Sequence, residues 1–371
     1  MIARRLFAVV LLFVPVTALA ADPAKPAFAD RAKESFAKWD ADKNGTLTRE
    51  EIDRAVSDPE VKGADAAAIV ALKRAVRSTK YKLPPLTKDA VLELASNPGK
   101  DRPDLNAMYA SAFTRITSAN HDLFPKGVPS LDTLHQGKLG DCFCLAPLGS
   151  MVCRDPKDVV KMIRKQPDGS YLVRLGTRDV PVPAPTDAEI ALTATGGPDG
   201  VWVNVYEKAV GLTRVAKAKA DGTTDPSLID LLSKGGSAGT TIGLVTGNPI
   251  ERFSCSFAKG DKASEKEVAA KLDDLRKKLV SAFADKRLVT CGTASGVTTP
   301  GVNGNHAYAV VGYDPKADEI LLWNPHGQAF TPKGKPGLEN GYPTKNGQFR
   351  MPLPEFVRTF AGVAFEVPPA K

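Results

Sequence analysis

The sequence predicts an α+β fold, and three observations predict it. Cys142, Ala146, Gly149 and Cys153 fall on one helical face behind a loop punctuated by Gly137 and Gly140. Toward the end of the chain, Leu288–Cys291, the run after His306 and Ile320–Trp323 carry strand patterns. Between these regions, Val268, Leu272, Leu275, Leu279 and Phe283 form the apolar stripe of a long helix whose opposite face is charged. The expected architecture is a helical subdomain holding Cys142, a β-rich subdomain holding His306 and Asn324, and a cleft between them.

In chain order, residues 30–56 read as helix, loop, helix, with Phe36 and Trp39 closing the first helix. Ala66–Val76 has helical spacing, with Ile69, Leu72 and Val76 on one face. Pro147 lacks an N–H donor and is expected to kink the helix after Cys142 or push its regular part downstream. Ser170–Leu175 alternates as a strand, and Val180-Pro181-Val182 reads as an edge strand. Trp202–Leu212 reads as a helix. Ser264 and Glu267 form a capping box before the long amphipathic helix.

The chain has 371 residues, 43% hydrophobic and 25% charged, a balance that excludes global disorder. The net charge of +8 is scattered, and no Lys/Arg block is interleaved with aromatics, so nucleic-acid binding has little support. Five cysteines are too few for a disulfide scaffold, and an odd number leaves at least one without an internal partner. At the N-terminus, Arg4 and Arg5 precede the apolar run Leu6–Val16 and the small-x-small triplet Ala18-Leu19-Ala20. This predicts a signal peptide over residues 1–20, cleaved after Ala20, and an exported protein, secreted or periplasmic. Cleavage lowers the charge to +6. No later run reaches the roughly 18–20 apolar residues of a membrane span. Oligomeric state is not specified.

Residues 40–51 read Asp-Ala-Asp-Lys-Asn-Gly-Thr-Leu-Thr-Arg-Glu-Glu. Calcium takes six to eight oxygens in a flexible shell. Asp40, Asp42 and Asn44 supply side-chain oxygens at loop positions 1, 3 and 5, and Gly45 permits the turn at 6. Thr46 offers its carbonyl at 7, Thr48 acts through a water at 9, and Glu51 ligates at 12. The pattern resembles an EF-hand and implies Ca2+ as the bound ion. Leu86-Thr87 echoes Leu47-Thr48, which places Thr79, Tyr81, Leu83 and Ala90 at the ligand positions of a second loop near 79–90. None offers a carboxylate, so the second hand is expected to pair structurally and bind nothing. Residues 28–97 are thus expected to form a small helical EF-hand domain, with 98–119 as linker.

The sharpest segment is Gln136-Gly137-Lys138-Leu139-Gly140-Asp141-Cys142. A cysteine at a helix N-terminus is biased toward thiolate by the free N–H groups and the dipole. A thiolate is a competent nucleophile toward a carbonyl. His306 follows a Gly-rich loop and opens a strand, and Asn324 ends the next strand before Pro325 and Gly327. Adjacent antiparallel strands place His306 and Asn324 side by side, with Asn324 accepting from one ring nitrogen and the other facing Cys142.

Together, Gln136–Ala146, His306–Gly312 and Asn324-Pro325-x-Gly327 resemble the calpain family of papain-superfamily cysteine proteases. The resemblance extends over residues 120–368 through Leu123-Phe124, Trp202…Glu207-Lys208-Ala209, Gly235-Gly236, Thr246-Gly247 and Pro354-Glu355-Phe356. It implies a papain-like fold and endopeptidase cleavage of protein or peptide substrates through an acyl-enzyme. Cys142 is then the nucleophile, His306 the base and later the acid, Asn324 its orienter, and Gln136 an oxyanion donor beside the Cys142 N–H. Two positions depart from the family: Phe143 and His326 stand where it carries Trp. They leave open a second reading, a catalytically inactive, calcium-dependent binding or scaffold protein.

Overall fold

The computed structural model describes residues 27–258 and 264–368; the expected signal peptide at 1–20 lies outside the described residues. The chain opens with helix α1 (Phe28–Trp39), which buries Phe28, Ala32, Phe36 and Trp39 at helical spacing. Strand β1 (Thr46–Leu47) leads into α2 (Arg49–Ser57), which Thr48 and Glu51 start as a reciprocal capping box. Then come α3 (Gly63–Arg77), β2 (Leu86–Thr87) and α4 (Lys88–Ser96). β1 and β2 pair antiparallel, with Leu47 opposite Leu86 and Thr46 opposite Thr87. The stretch 98–119, expected as linker, instead contains α5 (Leu105–Ser118), because Leu105, Tyr109, Ala112 and Ile116 form a buried face against α3 and α1.

The next part is largely helical. α6 (Cys142–Arg154) is followed by α7 (Pro156–Met162) and a small antiparallel sheet of β3 (Ile163–Lys165), β4 (Tyr171–Leu175) and β5 (Arg178–Val182). Helices α8 (Asp187–Leu192), α9 (Trp202–Ala220), α10 (Leu228–Ser233) and α11 (Ala238–Thr246) complete it. α3 and α5 pack on α8, so the N-terminal helices sit directly against this part. Lys73 on α3 is fully buried and makes ion pairs with Asp53 and, at 2.9 Å, with Asp230 on α10. A buried ammonium persists only when paired in this way.

The last part is a six-stranded sheet. Its strands are β6 (Ile250–Ser254), β7 (Val289–Gly292), β8 (Ala307–Asp314), β9 (Glu319–Trp323), β10 (Gln348–Pro352) and β11 (Gly362–Glu366). All neighbours are antiparallel, in the order β10-β9-β8-β7-β11-β6. α12 (Glu265–Ala284), started by the Ser264/Glu267 capping box, and α13 (Leu353–Thr359) accompany it.

Strand alternation gives the sheet two different faces. Phe253, Val289, Cys291, Tyr308, Val310, Val363 and Phe365 share a core with Leu275 and Leu279 of α12. The other face is made of smaller residues, among them Ala307, Ala309, Gly292 and Ala364, and receives α6. Contact there is close: a Cβ on Gly149 of α6 would stand 2.4 Å from the Trp323 ring. Mixed helix and sheet, divided in this way, are the α+β class that the periodicities predict.

Candidate active site

Cys142 is the first residue of α6, as its spacing predicts. The helix runs as one element through Pro147 to Arg154, so its regular part is not pushed downstream of the proline. Asp141 caps the helix with its carbonyl, which accepts from the N–H groups of Cys144 at 2.8 Å and Leu145 at 3.2 Å. The Ala307 N–H on β8 donates to Cys142 Sγ at 3.4 Å, which ties the thiol to the opposite side of the cleft. Burial pushes the Cys142 thiol above its ordinary range, and the Asp141 charge adds to this, while the Ala307 N–H pulls it back. The thiolate bias expected from the helix terminus is therefore outweighed by desolvation in the free protein.

His306 immediately precedes β8, and Asn324 immediately follows β9. Pairing of these strands brings them together, with His306 Nε2 donating to Asn324 Oδ1 at 2.8 Å. Asn324 is pinned in that orientation because its Nδ2 donates to Asn303 Oδ1 at 2.9 Å. The His326 N–H also donates to Asn324 Oδ1, at 3.0 Å. With Nε2 carrying the proton, Nδ1 is the basic nitrogen of His306. The Tyr308 ring meets the imidazole edge-on at 5.0 Å, and the His326 ring stacks on it at 4.4 Å. Burial, and then the neighbouring His326, lower His306 to about 4, against the opposing pull of Asn324.

Gln136 lies one bridge away from this turn: its N–H donates to the Pro325 carbonyl at 2.7 Å. Its side-chain Nε2 donates to the Leu139 carbonyl at 2.7 Å, and its Oε1 is buried without a partner. The amide is thus engaged within its own loop, and Gln136 is not among the residues lining the cavity beside Cys142.

Behind Cys142 is a feature that the local sequence does not reveal. Asp141 and Glu207 are both fully buried, and their carboxyl groups meet. Burial pushes both upward; the neighbouring Asp141 raises Glu207 further, whereas the contact with Glu207 pulls Asp141 back. Asn303, which orients Asn324, was equally hidden; the only sequence signal was its place in the Gly-rich run before His306.

Cys142 and His306 open onto a cavity of about 650 Å³ between the two parts of the molecule. Gly140, Gly235, Gly236 and Ser237 line one side, and residues of β6, β7 and β11 line the other. Among the described residues no disulfide links the cysteines.

Outside this cleft, the loop between α1 and α2 collects carboxylates. Oxygens of Asp40, Asp42 and Glu51 lie within 4.8 Å of one another. Asp40 accepts from the Gly45 N–H at 2.9 Å and Asn44 Oδ1 from the Thr46 N–H at 2.8 Å, which folds the loop inward. Gly45 takes a φ of 80°, where a side chain is strained. Burial raises Glu51, but hydrogen bonds from Thr48, Asp42 and Ala41 outweigh it and hold the carboxylate below its ordinary range. Thr48, the residue expected to act through water, here donates its hydroxyl to Glu51 Oε2 at 2.9 Å.

A thiol on a helix terminus, an imidazole and an amide thus face one cleft between a helical and a β-rich part. A family model for calpain family cysteine proteases matches residues 110–335. The chain belongs to the calpain family and is a cysteine endopeptidase of calpain type. A comparison with curated proteins found no match.

Proposed function

We propose that Cys142, His306 and Asn324 form the catalytic triad of this endopeptidase. The observation that carries the reading is the His306 Nε2 to Asn324 Oδ1 bond at 2.8 Å, on strands that also bring Ala307 to Cys142 Sγ. His306 Nδ1 takes the thiol proton as sulfur attacks the scissile carbonyl carbon. The tetrahedral intermediate collapses to a thioester, and His306 returns the proton to the leaving amine. Water, deprotonated by the same nitrogen, then hydrolyses the thioester and regenerates the thiol. The Cys142 N–H is a free donor of the helix first turn for the developing oxyanion. Gln136 joins it only after its amide swings away from Leu139. Cys142→Ala should abolish hydrolysis of a casein substrate, and iodoacetamide should do the same to the wild type. Robust cleavage by Cys142→Ala would sink the mechanism.

Calcium belongs in the same reading. Asp40, Asp42, Asn44 and Glu51 would hold it through side chains, Thr46 through its carbonyl and Thr48 through water; the convergence of three carboxylates supports the fit. The ion would neutralise their mutual repulsion and brace α1 against α2. The Leu47–Leu86 pairing supports a paired hand whose second loop lacks carboxylates. Arg4, Arg5 and the apolar run after them support export, and N-terminal sequencing of the mature protein should start at Ala21.

A further inference from the structure

The face of the large sheet that looks into the cleft is nearly devoid of long side chains. Strand register shows this directly. Ala307 pairs with Gly292, Gly292 with Gly362, and Gly362 with Ser254, so these four form one row across β8, β7, β11 and β6. Two residues along, Ala309, Thr290, Ala364 and Arg252 form the next row on the same face. Arg252 is the one long side chain in these two rows, and it is exposed.

Its surroundings are unusual for an arginine. Nη2 donates to Ser237 Oγ at 3.0 Å and approaches Thr240 Oγ1 at 3.4 Å. Both partners are neutral hydroxyls, and among the described residues Arg252 forms no ion pair. Among the described residues no Asp or Glu lines the cavity, and Arg252 is its only permanently charged one. A guanidinium has five donors in a planar fork that matches a carboxylate in two-point contact. Gly239 keeps the space beside it open, because a Cβ there would stand 3.1 Å from Nη1.

We propose that Arg252 is a specificity-determining residue that selects substrates carrying an acidic side chain. This rests on the assignment of Cys142 and His306 as the reacting pair, which places the scissile bond at the β8 side of the cavity. Three strand spacings separate β8 from β6, about 14 Å at about 4.8 Å each. An extended peptide covers that span in roughly four residues. The acidic residue therefore lies about three or four positions from the bond cut, and its carboxylate takes the Nη donors that the two hydroxyls leave available.

The test uses fluorescent decapeptide libraries in which one position at a time is Glu, Gln or Lys. Their binding to the full-length Cys142→Ala protein is read by anisotropy, and wild-type cleavage products locate the scissile bond. The Glu library is expected to bind on the order of tenfold tighter than Gln at one position, as charge-assisted hydrogen bonds do. Arg252→Lys should keep that order, and Arg252→Glu should reverse it in favour of Lys. The preference should shrink as salt is raised. Equal binding of the three libraries, or an unchanged order in Arg252→Glu, overturns the proposal. Because binding is read without chemistry, hydrolysis persisting in Cys142→Ala would sink the triad and leave the role of Arg252 to be judged by the binding order alone.

Discussion

His326 lies face to face with His306, the ring planes 16° apart and their centroids 4.4 Å apart. The family carries Trp at this position, so an apolar shield over the His306–Asn324 bond has been exchanged for a second titratable ring. Burial lowers His326 as well; Asp141 raises it and Lys138 lowers it. The His306 ring therefore stays stacked, but its protonation is opposed by a neighbour that also takes protons.

His326→Phe should keep the stack and remove that opposition. The charge of His326 lowers His306, so its loss lets His306 rise from about 4 toward the ordinary histidine range. The acid limb of the kcat/KM profile should then move to higher pH. An acid limb unchanged in His326→Phe would show that His326 does not tune the base. His326→Ala should lower kcat besides, because water reaches the His306–Asn324 bond.

Alkylation of Cys142 reports the second electrostatic finding. Burial and Asp141 raise the thiol, so in the free protein the iodoacetamide rate should climb steadily through alkaline pH. Mass spectrometry of the Cys142 peptide separates it from the exposed Cys153. A plateau of full reactivity below pH 7 would mean a resting thiolate–imidazolium pair and contradict the desolvation argument.

Glu51 contributes both carboxylate oxygens to the loop, with Oε1 accepting from Ala41 and Oε2 from Thr48. Glu51→Gln removes one charge from the proposed calcium shell and should weaken binding at least tenfold by isothermal titration. The wild type should bind one calcium per chain. At a hundredfold excess over Kd, calcium should add about 2.7 kcal/mol of stability. Two comparable sites would show that the loop near 79–90 also binds.

Gly149 tests the seam between the two parts. Any side chain there meets Trp323, the residue immediately before Asn324. Gly149→Ala should destabilise the protein by about 1–3 kcal/mol, the usual range for overpacking. By displacing β9 it should also lower kcat more than KM rises. Full stability and full activity in this variant would mean that the helix shifts freely on the sheet.

Much of this was legible in the sequence because it is written in short-range patterns. Helical spacing placed Cys142 at the start of α6, the capping box placed α12, alternation placed β4, and apolar strand-like runs placed β7 and β9. Pro147 does not shift the start of α6, because a single missing N–H costs less than the packing of a helix whose residues from Phe143 to Val152 are all buried. The stretch 98–119 misled because its apolar residues make a face only against α3, a partner that periodicity alone does not name.

By itself, then, the sequence determined which chemistry the chain carries: a thiol, an imidazole, an amide and a carboxylate-rich loop at spacings that local geometry demands. Tertiary structure alone decided how those groups are tuned. It set His326 on His306, joined Asp141 to Glu207, turned the Gln136 amide toward Leu139 and brought Arg252 into the cleft. The reason is physical. A motif is fixed by neighbours a few residues away, whereas burial and charge at a site come from strand register and helix docking across more than a hundred residues.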